Sequence, residues 1–344
     1  MGRAWSPSIS CSTIHSVSAR HGLRECARRL ASATIPSMVS RFLPRAVNGL
    51  LRPSGLQVVR TSTLHAHVEL ERRIAELERR LARADEQRQQ DEATVQNIIR
   101  YAMKAHWRTV DLIDRVSGDD EPKACALCGY ADGGFQEVVS ECIFSGGRLL
   151  RHVCPRCDVI FGPQKVLALD ESMLDLDYRM LYRTYSEGDS TESIIRTFHL
   201  LRPRKEGVYL DFGSGGAWSA AIQRLRQEGW NIFGFEPSVP VSSEFVFTKW
   251  EEIESRRFAG ILTHNVLEHL FDPAGTTRRL GQLLEPGARL VHTTPCFEYL
   301  YEYTRFHVFF FTGRSPQVLA ERAGMKIEEW VRDGEFMACI MQRA

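Results

Sequence analysis

The stretch Val208-Tyr-Leu-Asp-Phe-Gly-Ser-Gly-Gly-Ala-Trp218 decides how the rest of the chain is read. Val208 to Leu210 is a short apolar run, the pattern of a buried strand. Asp211 closes it. Gly213, Ser214, Gly215 and Gly216 follow as a turn in which almost no side chain stands between the backbone and a ligand. Behind the turn, Ala221, Ile222 and Leu225 fall on one face of a helical pattern, with Gln223, Arg224, Arg226 and Gln227 on the other. Strand, glycine turn and helix make the front half of a nucleotide-binding unit.

Downstream the same alternation continues. Strands are expected at 208–211, 231–236, 244–248, 259–265 and 288–294, and helices at 266–270, 275–284 and 315–323. Two last strands, 326–331 and 336–342, flank the hairpin turn Asp333-Gly334. The expected fold class is therefore α/β, a seven-stranded Rossmann-like sheet that is parallel until a terminal antiparallel hairpin. Glu236 ends the second strand, and an ionised carboxylate offers two acceptor oxygens, enough for both hydroxyls of a ribose. A dinucleotide site needs G-x-G-x-x-G, whereas Gly215-Gly-Ala-Trp-Ser219 has no third glycine in place, which disfavours NAD. Residues 237–243 are too few and too rich in Pro and Ser for the usual helix between second and third strands. Adenine contacts are then expected from Pro237, Thr248 or Trp250. Thr263, His264 and Asn265 end the fourth strand, where an open α/β sheet places its ligand.

Upstream, Cys125-Ala-Leu-Cys128-Gly129 and Cys154-Pro-Arg-Cys157-Asp158 are two C-x-x-C knuckles. Their spacing supplies four thiolates for one tetrahedral Zn²⁺ and leaves no open position, the pattern of a structural site in a zinc-ribbon-like module. Gly129 suits the knuckle turn; Asp158 departs from it. Four of nine cysteines in such pairs argue for a reducing, cytoplasmic setting over a disulfide framework. Residues 64–116 carry heptads with His67, Ile74, Leu81, Arg88, Val95, Ala102, Thr109 and Val116 at a, and Leu70, Leu77, Ala84, Asp91, Ile98, Ala105 and Leu112 at d. This reads as a coiled coil that makes a homodimer, or as a long helix folded onto its own domain. Ile99, Met103 and Ile113 widen the apolar face of its second half, which suggests more than one partner there. Tyr178, Tyr182 and Tyr185 share one face of a further helical run, as packing or as a substrate wall.

The 344 residues carry a formal charge of only +1, unevenly spread. Residues 1–60 hold nine Arg against Glu25, so the remainder sums to −7, which argues against nucleic acid as the substrate of the main domain. That Ser- and Arg-rich start reads as a transit peptide, or as a basic arm behind a start at Met38. No apolar run approaches a membrane span. The expected organisation is a disordered or basic arm (1–63), a coiled-coil helix (64–116), a zinc-binding module (123–165), a helical connector (166–205) and a catalytic domain (206–344).

Asp211-Phe-Gly-Ser-Gly215, the acid Glu236, the phrase Asn265-Val-Leu-Glu-His-Leu-Phe-Asp-Pro273 and the terminal hairpin look like class I S-adenosylmethionine (SAM)-dependent methyltransferases. The phrase His307-Val-Phe-Phe-Phe-Thr312 is similar to one broad subgroup, and a four-cysteine module ahead of the domain resembles bacterial methyltransferases of sugars and sugar nucleotides. The resemblance covers 207–344 well and 125–185 more loosely. It implies SAM as cofactor and a small polar acceptor: a sugar, sugar nucleotide or glycan. It places the cofactor on Asp211, Gly213, Ser214, Gly215, Gly216 and Glu236. Ala217 stands at the usual last glycine of that motif, a small change. His264 and His307 are the candidate bases, while Glu268 and His269 are expected to stabilise their loop. Two other classes stay open: a non-catalytic methyltransferase-like scaffold, favoured by the short 237–243 connection, and an RNA methyltransferase using the zinc module and the basic arm.

Overall fold

The computed structural model describes residues 61–118, 122–144, 147–169, 171–185, 188–239, 242–300 and 303–344. The expected basic arm, residues 1–60, lies outside them. The chain forms two units, Met1–Gln90 and Asp91–Ala344. One uninterrupted helix, α1 (Thr61–Ser117), runs through the boundary. No Pro or Gly breaks it before Gly118. In the first unit its exposed surface carries i,i+4 pairs such as Glu69–Arg73 and Glu76–Arg80. Leu70, Ile74, Leu77 and Leu81, all on the heptad seam, are exposed there. In the second unit α1 has two faces. Ile99 and Trp107 are buried with Met103 and Val110 half-buried, while the seam residues Val95, Ile98, Leu112 and Val116 remain exposed. The widened apolar face thus divides: Ile99 and Met103 serve the body, and Ile113 stays outside with the seam.

The second unit holds two sheets. The smaller contains β1 (Gln136–Glu141), β2 (Arg148–Val153), β3 (Ile160–Phe161) and, far along the chain, β9 (Phe309–Phe310), in that order and all antiparallel. Its first three strands carry the cysteine knuckles. Its fourth comes from the phrase 307–312, so this phrase belongs to the small sheet. The larger sheet contains β4 (Val208–Phe212), β5 (Asn231–Phe235), β6 (Val246–Phe247), β7 (Phe258–His264), β8 (Leu284–Thr293), β10 (Met325–Asp333) and β11 (Phe336–Arg343), in the spatial order β10-β11-β8-β7-β4-β5-β6. The five inner and far strands are parallel, and β11 enters antiparallel between β8 and β10.

Helices cover both faces of the large sheet, so its central strands are apolar at successive positions. On β7, Ile261 faces the cluster built with α6 (Pro273–Leu283) and α7 (Ser315–Ala323), and Leu262 faces the cluster built with α4 (Thr191–Leu200) and α5 (Ala220–Gln227). Leu290 and Val291 on β8 and Cys339 and Ile340 on β11 divide the same way. The expected helix at 266–270 is a three-residue 3-10 turn, Leu267–His269. Asn265 holds a left-handed φ of 54° just before it, which is incompatible with a helix continuing the strand end. No helix lies among the described residues between β5 and β6.

Between the small sheet and the large one come α2 (Gln164–Leu167) and α3 (Glu171–Leu181), the latter carrying Asp177. Arg305, fully buried, forms an ion pair with Asp177 at 2.6 Å and donates to the Phe144 carbonyl at 2.8 Å. Trp107 of α1 donates to the same Asp177 at 3.1 Å and stacks under the Arg305 guanidinium. This knot ties α1, α3 and the 304–307 segment together. Replacing Arg305 with Leu strands a buried carboxylate and should cost about 3–5 kcal/mol, whereas R305L/D177L together should cost less. Urea unfolding of these variants and of D177L measures this; a double-variant loss equal to the sum of the two single losses would show that the pair carries no coupling.

Candidate functional site

The glycine turn sits at the C-terminal end of β4. Gly213 has φ +85°, and a Cβ there would lie 2.3 Å from Val266 Cγ2. The turn therefore packs directly against the segment leaving β7. Ser214 fits over Gly234 of β5, where a Cβ would come within 2.6 Å of the serine Oγ. Gly215, by contrast, would point a Cβ into open space. Its N–H donates to Glu236 Oε2 at 2.9 Å, and the other oxygen of Glu236 accepts from Ser238 N–H and Oγ–H. Ser219 caps α5, accepting from the Ile222 N–H.

Asp211 is the anomaly of this cradle. Its side chain is buried, yet neither carboxylate oxygen has a hydrogen-bond partner among the described residues. Burial, with a smaller push from Glu236, raises its pKa to about 7. A buried acid kept close to neutral, beside an open backbone cradle, fits a ligand that brings its own cationic donor. The residues present thus fit the ammonium of a SAM-like cofactor. Thr248 meets Ser242 at 2.9 Å, and Trp250 packs edge-on to Phe212 and Phe235 under the Arg279 guanidinium. Pro237 follows directly on Glu236.

The two candidate bases are not brought together. His264 Nε2 meets Ser193 Oγ of α4 at 2.7 Å, and burial lowers its pKa to about 4. Thr263 turns to the other side and meets His292 at 2.7 Å, while Asn265 donates its N–H to the Thr293 carbonyl. His307 lies elsewhere, in a narrow pocket lined by Phe144, Tyr178, Leu181, Tyr182, Tyr185, His269, Thr304 and Phe306. The three tyrosines of the connector form one wall, with Tyr178 and Tyr182 hydroxyls 3.0 Å apart. His269 and His307 form the opposite wall, ring centroids 4.9 Å apart.

His269 is the residue that sequence reasoning gave only a loop role. The Phe306 carbonyl can only accept, so its 3.1 Å contact requires Nδ1 of His269 to carry the proton. Nε2 then carries the lone pair. Burial lowers its pKa to about 4, so it stays neutral near pH 7. Its position follows from the short turn: Val266 presses on Gly213 and, three residues on, His269 reaches the tyrosines. The pocket and the glycine cradle are thus joined through one turn of backbone.

In the four-cysteine cluster, Cys125 Sγ lies 3.8 Å from Cys157 and Cys128 Sγ lies 3.6 Å from Cys154. Zn–S bonds of about 2.3 Å put tetrahedral edges at about 3.8 Å. Both knuckles have the residue after the second cysteine in the left-handed region: Gly129 at φ 76° and Asp158 at 64°. Asp158 is tolerated because aspartate visits this region more readily than most residues. Its carboxylate is also clasped by the Arg314 N–H and guanidinium, which holds its pKa below the usual range. Crowded thiols titrate in opposite directions here. The hydrogen bond from Cys157 lowers Cys125 to about 5, and burial raises Cys154 to about 11.

Residues 185–330 match a family model described as a methyltransferase domain. Solved structures similar to the chain include the mitomycin 7-O-methyltransferase MmcR, at 13% identity and TM-score 0.36, over 53% of this chain and 60% of that one. A second is the Burkholderia thailandensis 1,6-didemethyltoxoflavin-N1-methyltransferase with S-adenosylhomocysteine (SAH) bound, at 16% identity and TM-score 0.38, over 57% of this chain and 95% of that one. CalO1, a methyltransferase in calicheamicin biosynthesis in its SAH-bound form, matches at 11% identity and TM-score 0.35, over 51% and 60%. The chain spans 60% of the length of MmcR and of CalO1. No curated protein matches the sequence. No helix among the described residues is long and apolar enough to cross a membrane.

The buried histidines set a pH dependence. His264, His269 and His292 have folded pKa values of about 4, 4 and 3, below the 6.5 of an exposed imidazole, through burial. Between pH 6.5 and 4 the unfolded chain binds protons that the folded one refuses, so stability falls as pH falls. Asp211, raised to about 7, opposes one of them. Net uptake on unfolding should be about two protons, or about 3 kcal/mol lost per pH unit. Urea unfolding at pH 6.5 and 5 tests this. Removing one imidazole with H292Q should lower the uptake by about one proton; an unchanged slope would contradict the assignment.

Proposed function

We propose that this chain methylates a small polar acceptor, a sugar, sugar nucleotide or glycan end, bound between the tyrosine helix and the two histidines. The observation that carries the SAM half is the unpartnered carboxylate of Asp211 beside the open turn at Gly215. Asp211 takes the cofactor's ammonium, and the Gly213–Gly216 backbone lies along its methionine portion. Glu236, already oriented by Gly215 and Ser238, receives the ribose hydroxyls, with Pro237, Thr248 and Trp250 on the adenine side. SAM supplies the methyl group as a sulfonium electrophile.

Methyl transfer otherwise needs alignment and removal of a proton. The pocket offers both. Tyrosine rings and hydroxyls suit a flat, hydroxylated acceptor, as apolar faces and polar rims do for sugars. His269 Nε2 takes the acceptor proton, and His307 orients the acceptor from the same wall. His264, tied to Ser193, positions α4 against the end of β7. The four cysteines hold a structural zinc, supported by their tetrahedral spacing, and α1 makes a homodimer through its heptad seam, supported by the exposed Leu70, Ile74, Leu77 and Leu81.

Calorimetry with SAH tests the cofactor site. Because the ammonium needs an ionised partner, affinity should rise up to tenfold per pH unit from about pH 6 to pH 7 and then level off. D211N should bind weakly and without that pH dependence. Failure of the wild-type chain to bind SAH would favour the scaffold reading. Light scattering tests the helix: the chain should weigh two protomers, and L77E/L81E one. A monomeric wild-type chain would remove the dimer.

A further inference from the structure

Behind the histidine wall lies a second cluster able to ligate a metal. Glu268, on the 3-10 turn after β7, Cys296, on the 3-10 turn Pro295–Phe297 after β8, and His307, just before β9, are all buried. One ligand atom from each lies within 4.8 Å of the others. Cys296 Sγ and His307 Nδ1 are 3.3 Å apart, against about 3.5 Å for a sulfur–nitrogen edge around tetrahedral zinc. The Glu268 carboxylate offers an oxygen within 4.8 Å of both.

The three ligands come from separate segments, and the backbone fixes all of them. The Val308 N–H donates to the Glu268 carbonyl at 2.9 Å and the Phe311 N–H to the Cys296 carbonyl at 2.7 Å. Arg151 donates to the His307 carbonyl at 3.0 Å. Ligands held this way need little reorganisation to close on an ion. A thiol, an imidazole and a carboxylate are a borderline-soft donor set, suited to zinc more than to magnesium or calcium. Three protein ligands, where the four-cysteine cluster has four, leave a coordination position open, as in catalytic zinc sites.

We propose that Glu268, Cys296 and His307 form a second zinc site, separate from the four cysteines, in the wall of the acceptor pocket. His307 belongs to both cluster and pocket, so the ion lies one imidazole from the acceptor space. Its bearing on methyl transfer, through the orientation of the His307 imidazole, rests on the pocket reading above; its existence does not.

The test is metal content. Wild-type chain and the variants E268Q, C296A and H307N are each saturated with zinc, desalted and analysed, with SAH binding or a cooperative melt as the check on folding. Each folded variant should hold one ion fewer per chain than wild type, whatever the four cysteines hold. Cobalt substitution adds a second readout: C296A should lose one set of d–d bands and retain the bands of the four-thiolate site. Equal metal content in wild type and all folded variants would overturn the site. Loss of an ion with no change in turnover would leave the site standing and remove its part in catalysis.

Discussion

The architecture turns on a guanidinium buried without a carboxylate at its side. Arg151 of β2 is fully buried, and burial lowers its pKa from the usual arginine value. It donates to the carbonyls of Thr304 and His307 and to Ser140 Oγ, and lies over the Phe310 ring. A buried cation is costly unless its donors are satisfied, so these carbonyls must stay where they are. The segment 304–307 is thereby fixed to the small sheet, and with it His307 and the loop that carries Phe306. The cysteine-bearing sheet thus helps to hold one wall of the pocket between the histidines and the tyrosines.

The two halves of the candidate site obey different physics. The cofactor half is backbone. Glycine conformations and one buried acid define it, and its neighbours along the chain are the strands that form it. The acceptor half is assembled side chain by side chain, from the connector helix, the turn after β7 and the strand lent to the small sheet. Asp158 ties the second knuckle to Arg314, just before α7.

This division explains what the sequence made legible. The strands of the large sheet, the closing hairpin and the lack of a helix among the described residues after β5 follow from apolar period and turn residues, which are local. So do the two knuckles, although the left-handed Asp158 was not foreseeable without its Arg314 clasp. The partner of His269, the Phe306 carbonyl, was not legible because it is far away in sequence and carries no residue signature. The phrase 307–312 read as part of the main domain because nothing in Phe309-Phe310 reveals which edge it pairs with. A two-residue strand has too little pattern to specify its register, and the partner edge supplies it.

That pairing joins Ile160 to Phe310 and Phe161 to Phe309 across some 150 intervening residues. During synthesis, at about 5–20 residues per second, the knuckle strands leave the ribosome roughly ten seconds or more before the strand that completes their sheet. The early sheet has an open edge at β3 for that interval, and such edges invite wrong pairings. A metal bound promptly by the four thiols would hold the unfinished module in shape until the rest of the chain arrives. In this view the cluster serves the order of assembly first, and the pocket between the histidines and the tyrosines exists only once the last third of the polypeptide has been made.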